Sequence, residues 1–334
     1  MATRFQRFGN DLYTGARSIQ FIRGRKLWYA IAVVAVILSI LIPIVKGGFN
    51  FGIDFRGGSQ FQITNARTTD QALAQQAVQS VKPGAAVQIS SVNNNGVRVT
   101  TDQLTTDQTK AVADALGRAY GVSQSNVASS FIGPSWGADV SRQAIQGLVV
   151  FLLLAFIAMA LYFRTWKMSA AAILSLFHDL IITAGIYALV GFEITPATMI
   201  GFLTILGYSL YDTVVVFDKI RENTREDSDL VRRTFSESVN LAVNQTLVRS
   251  INTAVVAALP VGAILFIGAL IFGADTLRDI SLALFIGILI GTYSTIFIAA
   301  PLYAEFREPE AAIRKHDKKV LTARAKAPLP AAAE

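Results

Sequence analysis

The sequence predicts an α-helical polytopic membrane protein with six transmembrane helices and an extracytoplasmic α+β domain of ferredoxin-like order after the first span. Three observations predict it. Of the 334 residues, 52% are hydrophobic and only 16% charged, whereas a soluble globular chain carries about a quarter charged residues. Six stretches reach the roughly 20 apolar residues that a helix needs to cross a bilayer core of about 30 Å. The one large soluble segment, residues 47–142, lies between the first two of them and carries strand, helix and turn signals in turn.

The same composition excludes other classes. No cysteine is present, which rules out a disulfide scaffold, a thiol nucleophile and cysteine-ligated zinc or iron–sulfur. His178 and His316 are the only histidines, too few for a histidine cage, so neither a metal nor a cofactor is expected. The net charge of +7 does not gather on one soluble face, so no nucleic-acid partner is expected.

Residues 1–26 form an N-terminal arm with six basic residues. The uncharged stretch 27–45 is longer than a signal-peptide core, and Lys46, Gly47 and Gly48 follow it. It reads as a retained anchor, span one over 27–46. Span two covers 143–163, span three 168–192 and span four 194–217, with Glu193 alone between the last two. Spans five and six cover 250–272 and 280–304, flanked by a loop at 218–249 and a tail at 305–334. If the N-terminus is cytoplasmic, the inner segments hold 21 of the 30 lysines and arginines. That surplus places both termini inside and residues 47–142 outside.

Within that outer segment, residues 60–64 alternate as a strand and 69–81 read as a helix behind Thr68, Thr69 and Asp70. Residues 86–92 and 97–100 read as strands joined through Asn94, Asn95 and Gly96, a hairpin signal. A helix over 104–120, stopped by Gly121, and a strand over 127–132 complete a β-α-β-β-α-β order. No phosphate loop, triad or carboxylate pair stands in it, so a binding or moving module is expected rather than an enzyme.

Three motifs go beyond generic membrane composition. The first runs through Gly52, Ile53, Asp54, Phe55, Arg56, Gly57 and Gly58. The second occupies residues 207–223 and contains Tyr208, Ser209, Tyr211, Asp212, Thr213 and Asp218. The third begins Gly133, Pro134, Ser135, Trp136. With six spans and a large segment after the first, the chain resembles the SecF side of the SecD/SecF family of bacterial protein-export membrane proteins. That family shares a superfamily with the proton-driven resistance–nodulation–division (RND) exporters. The resemblance covers residues 18–310, and one departure stands out: Tyr211 occupies a position where many relatives have Asn.

The resemblance implies pairing with SecD in a twelve-span pseudo-symmetric complex that associates with the SecYEG channel. Proton flow would move the outer domains and help pull or release an exported preprotein, with ATP used elsewhere. Consistent with that, the chain contains no G-x-x-x-x-G-K-[ST] loop. Half of an RND-type small-molecule or lipid exporter is the alternative, and a scaffold without ion coupling a third reading.

Asp212 is the first proton-relay candidate, because an aspartate at membrane depth faces the bundle interior and marks a path. Tyr208 and Ser209, at i−4 and i−3 on its face, are expected to supply hydroxyl partners, and Thr213 adjoins it. Arg249, at the start of span five, is the expected counter-charge, and it matches an arginine that the family places near this aspartate. Asp179 in span three is the next candidate. Its neighbour His178 should point about 100° away on the helix, as a separate bundle contact. Asp218 reads as a solvated end of span four. Asp54 and Arg56, between Gly52 and the Gly57-Gly58 pair, read as a fold-forming exit from the membrane, and Gly133 with Pro134 as the lead into span two. Gly287 and Gly291 form a close-packing pattern. Residues 314–319 and the end of the chain read as a disordered basic tail near membrane lipid.

Overall fold

The computed structural model describes residues 4–92, 95–230, 233–269 and 275–326. The chain begins with α1 (Arg4–Thr14) and the long apolar α2 (Arg25–Val45). One helical turn, α3 (Ile53–Arg56), leads to β1 (Gly58–Ile63), α4 (Gln71–Val81), β2 (Val87–Val92), β3 (Gly96–Thr101), α5 (Thr106–Tyr120) and β4 (Val127–Ile132). The rest is helical: α6 (Pro134–Phe163), α7 (Trp166–Val190), α8 (Pro196–Leu230), α9 (Phe235–Ala263), α10 (Asp275–Ser294), α11 (Ala300–Arg307) and α12 (Ala311–Lys326). Among the described residues, six helical stretches are long and apolar enough to cross a membrane. π-helical turns at Ile264–Ala269 and Thr295–Ala299 prolong α9 and join α10 to α11.

The four strands lie in the order β2-β3-β1-β4, every neighbour antiparallel. This is the sheet that the β-α-β-β-α-β order builds. Strand alternation sends Phe61, Ile63, Val97 and Val99 to one face, where they are buried with Val78, Val112 and Leu116 of α4 and α5. Asp70 caps α4 by accepting from the Ala72 amide at 3.0 Å. Thr105 and Gln108 form a reciprocal capping box on α5. In the expected hairpin turn, residues 93 and 94 lie outside the described residues, and Val92 pairs with Gly96.

The first and third motifs meet at the base of this sheet. Gly57 and Gly58 have φ of 73° and 137°, a region that disfavours residues with a side chain. A Cβ on Gly58 would stand 2.5 Å from the Thr101 carbonyl oxygen. Arg56 donates to the Phe49 carbonyl at 3.0 Å, closing the turn. Gly133 precedes α6 and Pro134 opens it, where a missing N–H costs nothing. At Gly137 a Cβ would lie 2.7 Å from the Phe55 carbonyl, so the start of α6 packs directly on the first motif.

The helices outrun the apolar stretches. The loop expected at 218–249 is helix nearly throughout: α8 continues to Leu230, and α9 begins at Phe235 behind a Thr234–Glu237 capping box. Apolar content marks membrane depth and not helix ends, and the Lys, Arg and Glu after residue 217 are good helix formers. At 35 residues, α8 is about 52 Å long.

The expected disordered tail is likewise corrected over residues 314–319, which lie in α12. That helix buries Ile313 and Val320. Its Asp317 accepts from the Phe235 amide at 2.8 Å, and Arg324 pairs with Glu237 at 2.6 Å. Tertiary anchors that no local pattern displays hold this helix. Residues 327–334 of the expected tail lie outside the described residues.

Candidate functional site

Among the described residues, three aspartates of the helices are buried, Asp179 on α7, Asp212 on α8 and Asp279 on α10, with 0%, 5% and 4% of their surface exposed. Asp279 lies at the sheet end, where Thr195 Oγ1 donates to its Oδ2 at 3.1 Å. Burying a carboxylate is costly unless it is hydrogen-bonded, so its partners define what it can do. Asp179 has both oxygens engaged. His178 Nδ1 lies 3.2 Å from Oδ1, and Ser209 Oγ donates to Oδ2 at 2.7 Å. Asp212 has one oxygen engaged: Ser250 Oγ donates to Oδ1 at 2.8 Å, while Oδ2 has no hydrogen-bond partner among the described residues.

Two expectations about these groups are therefore corrected. His178 and Asp179 do touch, because the side chains reach across the 100° that separates their Cβ directions. Ser209 serves Asp179 instead of Asp212, since α7 packs on that side of α8. Tyr208 lies against Thr292, with Asp212 within electrostatic range. The hydroxyl that reaches Asp212 belongs to Ser250 on α9, which the sequence reading passed over. Its only signal was a polar residue beside Arg249 at the head of an apolar run.

Ser209 and Asp212 stand three residues apart on α8, on neighbouring positions of one face. The polar groups thus run from His178 and Asp179 on α7, through Ser209 and Asp212 on α8, to Ser250 on α9. Thr213 extends the line sideways, its Oγ1 3.0 Å from that of Thr295 in the second π-helical turn. Such turns recur at functional positions. Gly291 lets α10 close on this site, for a Cβ there would lie 2.9 Å from Ser209 Cβ. Gly287, one turn earlier, packs on Ile205 of α8.

Arg249 is exposed, and its guanidinium donates to the Tyr211 hydroxyl at 3.3 Å. Its charge acts on Asp212 through space. Tyr211 is 57% exposed, so Asp212 sits just behind a surface of the bundle that shows a tyrosine and an arginine. Asp218 is exposed and accepts from Tyr162 at 3.5 Å. It lies twelve residues before the end of α8, so it ends no helix.

The α7–α8 connection that joins the two aspartate-bearing helices is also the point where the sheet domain is attached. Gly52 N donates to the Ile194 carbonyl at 2.9 Å, and Ile194 N to the Asn50 carbonyl at 2.6 Å. Asn50 Nδ2 donates to the Gly191 carbonyl at 2.9 Å. From the polar face of the sheet, Arg98 pairs with Glu193 at 3.0 Å, their side chains only 7% and 15% exposed. Asp54, on α3 beside these contacts, is half-buried, and that burial pushes its carboxyl above its ordinary value.

The family model described as "Protein export membrane protein SecD/SecF, C-terminal" matches residues 112–309, and that of the "SecD/SecF GG Motif" matches residues 44–64. The Protein translocase subunit SecF of Streptomyces coelicolor is 42% identical over 95% of this chain and 84% of its own length. The corresponding protein of Mycobacterium tuberculosis is 40% identical over 95% and 73%. The crystal structure of SecDF from Thermus thermophilus, titled a translocon-associated membrane protein, superposes with a TM-score of 0.73 at 29% identity. That match covers 87% of this chain and 39% of the SecDF chain. Aspartates on two neighbouring apolar helices, a glycine-pair turn beneath an antiparallel sheet and these matches converge: the chain belongs to the SecF side of the SecD/SecF family of protein-export membrane proteins.

Proposed function

We propose that this chain is a non-enzymatic accessory subunit of the Sec export machinery, which couples proton flow to movement of its sheet domain. In this reading both termini are cytoplasmic and the sheet domain lies outside. SecD supplies the other half of the proton path. The SecYEG channel and the emerging preprotein are the partners on which the movement acts. The fusion named Protein translocase subunit SecDF in Thermus thermophilus, 32% identical over 84% of this chain, supports the SecD pairing.

The observation that carries the reading is the half-satisfied Asp212. A carboxylate with one oxygen held by Ser250 and the other unpartnered can gain a proton without breaking an existing bond. A change in Asp212 charge alters the packing of α8. That helix hangs from the same connection that carries Gly52, Asn50 and the Arg98–Glu193 pair, so tilting it pulls on the sheet.

The energetics set a stoichiometry. One proton crossing 100 mV releases about 2.3 kcal/mol, and driving a two-state element from 1:99 to 99:1 takes about 5.5 kcal/mol. A full swing of the domain driven by a potential of 100 mV alone therefore consumes about three protons, and fewer where a pH gradient or a larger potential adds to it.

The test is preprotein translocation in vesicles reconstituted with this chain, SecD and the SecYEG channel, with and without an imposed gradient. Asp212→Asn keeps a hydrogen-bond acceptor for Ser250 but cannot cycle a proton. It should leave the complex assembled and abolish the gradient-dependent increment. A full response in that variant would make Asp212 structural. Orientation is tested separately on the cysteine-free background: Lys110→Cys should react with an impermeant reagent outside intact cells and Thr322→Cys should not.

A further inference from the structure

The segment between α1 and α2 separates two cavities of opposite character. Side-chain amides of α9 hold it in place. Asn244 accepts from the Ile19 amide at 2.8 Å and Asn240 from the Phe21 amide at 2.9 Å. Both amides also donate to the Ile19 carbonyl, at 2.9 and 3.0 Å.

On one side, Ser18, Gln20 and Ile22 face a cavity of about 620 Å³ at the end of the bundle remote from the sheet. Its walls carry Arg23, Arg25, Lys26, Arg233 and Arg324 against two carboxylates, Glu237 and Glu308. The carboxylates are already engaged, Glu308 by Arg25 at 2.6 Å and Glu237 by Arg324 at 2.6 Å. Among the described residues, Arg23 and Lys26 form no ion pair, and both are exposed. The cavity is thus a cation-rich pocket with its acids spent.

On the other side, Ile19 and Phe21 face a groove of about 870 Å³ walled almost wholly by apolar side chains, among them Trp28, Ile251, Val255, Leu259, Phe285 and Phe297. The groove lies between α9 and α10, and it starts where the cationic cavity stops. Along α9, Ser236 through Leu241 line the cavity and Leu247 onwards line the groove. Along α9 and the π-helical turn that prolongs it, the groove runs from Leu247 to Ile267, about 30 Å, comparable with the whole hydrocarbon core of roughly 30 Å. Trp28, of the residue type that favours the membrane–water interface, stands one turn beyond Arg25 at the charged end.

We propose that cavity and groove together form a binding site for one anionic glycerophospholipid, its phosphate among Arg23, Lys26 and Arg25 and its acyl chains against α9 and α10. The order of charge, aromatic and apolar wall is that of a lipid whose headgroup stands at the end remote from the sheet, and the apolar wall is long enough to take its acyl chains. The site ties the α1–α2 segment to α9, the helix that presents Ser250 to Asp212. It rests on the membrane reading of the helices and is independent of the export reading.

The experiment counts lipids retained by the full-length chain, purified in a neutral detergent, by native mass spectrometry. The probes are phosphatidylglycerol and phosphatidylcholine of matched chains, and glycerol 1-phosphate as the soluble headgroup. One phosphatidylglycerol per chain should be retained in preference to phosphatidylcholine. The double variant Arg23→Gln, Lys26→Gln should weaken that retention about 30-fold, at roughly one basic residue's surface attraction each. Val255→Trp, at a half-exposed position, fills the groove without touching the charges and should also displace the lipid. Equal retention of the two lipids, or unchanged retention in the double variant, overturns the proposal. Competition by glycerol 1-phosphate that Val255→Trp leaves intact overturns it in favour of a soluble-phosphate pocket.

Discussion

Asp179 and Asp212 are both buried aspartates within the helical bundle, and the same α8 face serves both, yet their surroundings differ in kind. Asp179 is enclosed on all sides and has a donor or ring nitrogen on each oxygen. Asp212 has one donor, one open oxygen, and behind it a surface bearing Tyr211 and Arg249. A saturated carboxylate anchors, because any change of charge breaks bonds already made. A half-saturated one switches, because its second oxygen can take a proton without that loss. Each receives one hydroxyl from a neighbouring helix, and the proposed difference in role follows from the His178 ring nitrogen that Asp179 alone has beside it.

The strongest way to break this comparison is to exchange the treatments. Asp212→Asn is expected to remove the whole gradient-dependent part of translocation while leaving thermal stability nearly unchanged. Asp179→Ala is expected to do the reverse. It strips His178 and Ser209 of their partner, so thermal unfolding of the purified chain should show a loss of about 1–3 kcal/mol. If Asp179→Ala abolished the gradient response at unchanged stability, the two roles assigned here would be inverted.

A smaller effect sharpens the same point. Ser209→Ala and Ser250→Ala each delete one interhelical hydroxyl bond, worth about 0.6–1.7 kcal/mol within a membrane. Ser209→Ala should register in stability alone. Ser250→Ala should also shift the pH at which the gradient response is half-maximal, since it acts directly on Asp212. Identical pH profiles for the two variants would contradict the distinction.

The smallest effect concerns carboxylates that play neither role. Glu308 and Glu310 lie at the end of the bundle remote from the sheet. Burial pushes both upward. Hydrogen bonds from Arg25 and Ser236 outweigh it at Glu308, as those from Arg307 and Lys167 do at Glu310, so both sit below their ordinary value of 4.5. A carboxyl held low stabilises the fold fully above its unfolded value and loses that contribution as pH falls through it. The contribution of these two carboxylates to the thermal midpoint should therefore be flat from pH 7 to about 5 and decline below about 4.5. In Arg25→Gln, which releases Glu308, the decline should be shallower. An equally steep decline in that variant would show that the Arg25–Glu308 pair contributes nothing to stability.

The sheet domain and the bundle were legible to different degrees. In the domain, alternation, the Asp70 and Thr105 caps and Gly121 are local signals, and the strands fall within two residues of where those signals put them. In the bundle, each apolar stretch largely coincides with one of the six helices long and apolar enough to cross a membrane, but α8 and α9 run on as helices through segments whose polarity reads as loop. Asp179, Asp212 and Arg249 were visible as charges in or beside apolar stretches, because a charge at that depth is conspicuous in any composition. Ser250, Glu193 and the true partner of Ser209 were not, since a serine in a membrane helix has no distinctive pattern until the facing helix is known.

By itself the sequence determined which segments are long and apolar enough to cross a membrane and that Asp179 and Asp212 stand within them, because transfer free energy is a property of each residue and its immediate neighbours. It also determined the three glycine-bearing motifs, which betray close backbone approaches. Tertiary structure alone decided which hydroxyl serves which aspartate, that Arg98 reaches Glu193, and that the basic C-terminal segment is a docked helix. Each depends on the rotation of one helix about its axis relative to another. That rotation is set by packing summed over whole faces, with glycines such as Gly291 fixing how near α10 comes to α8.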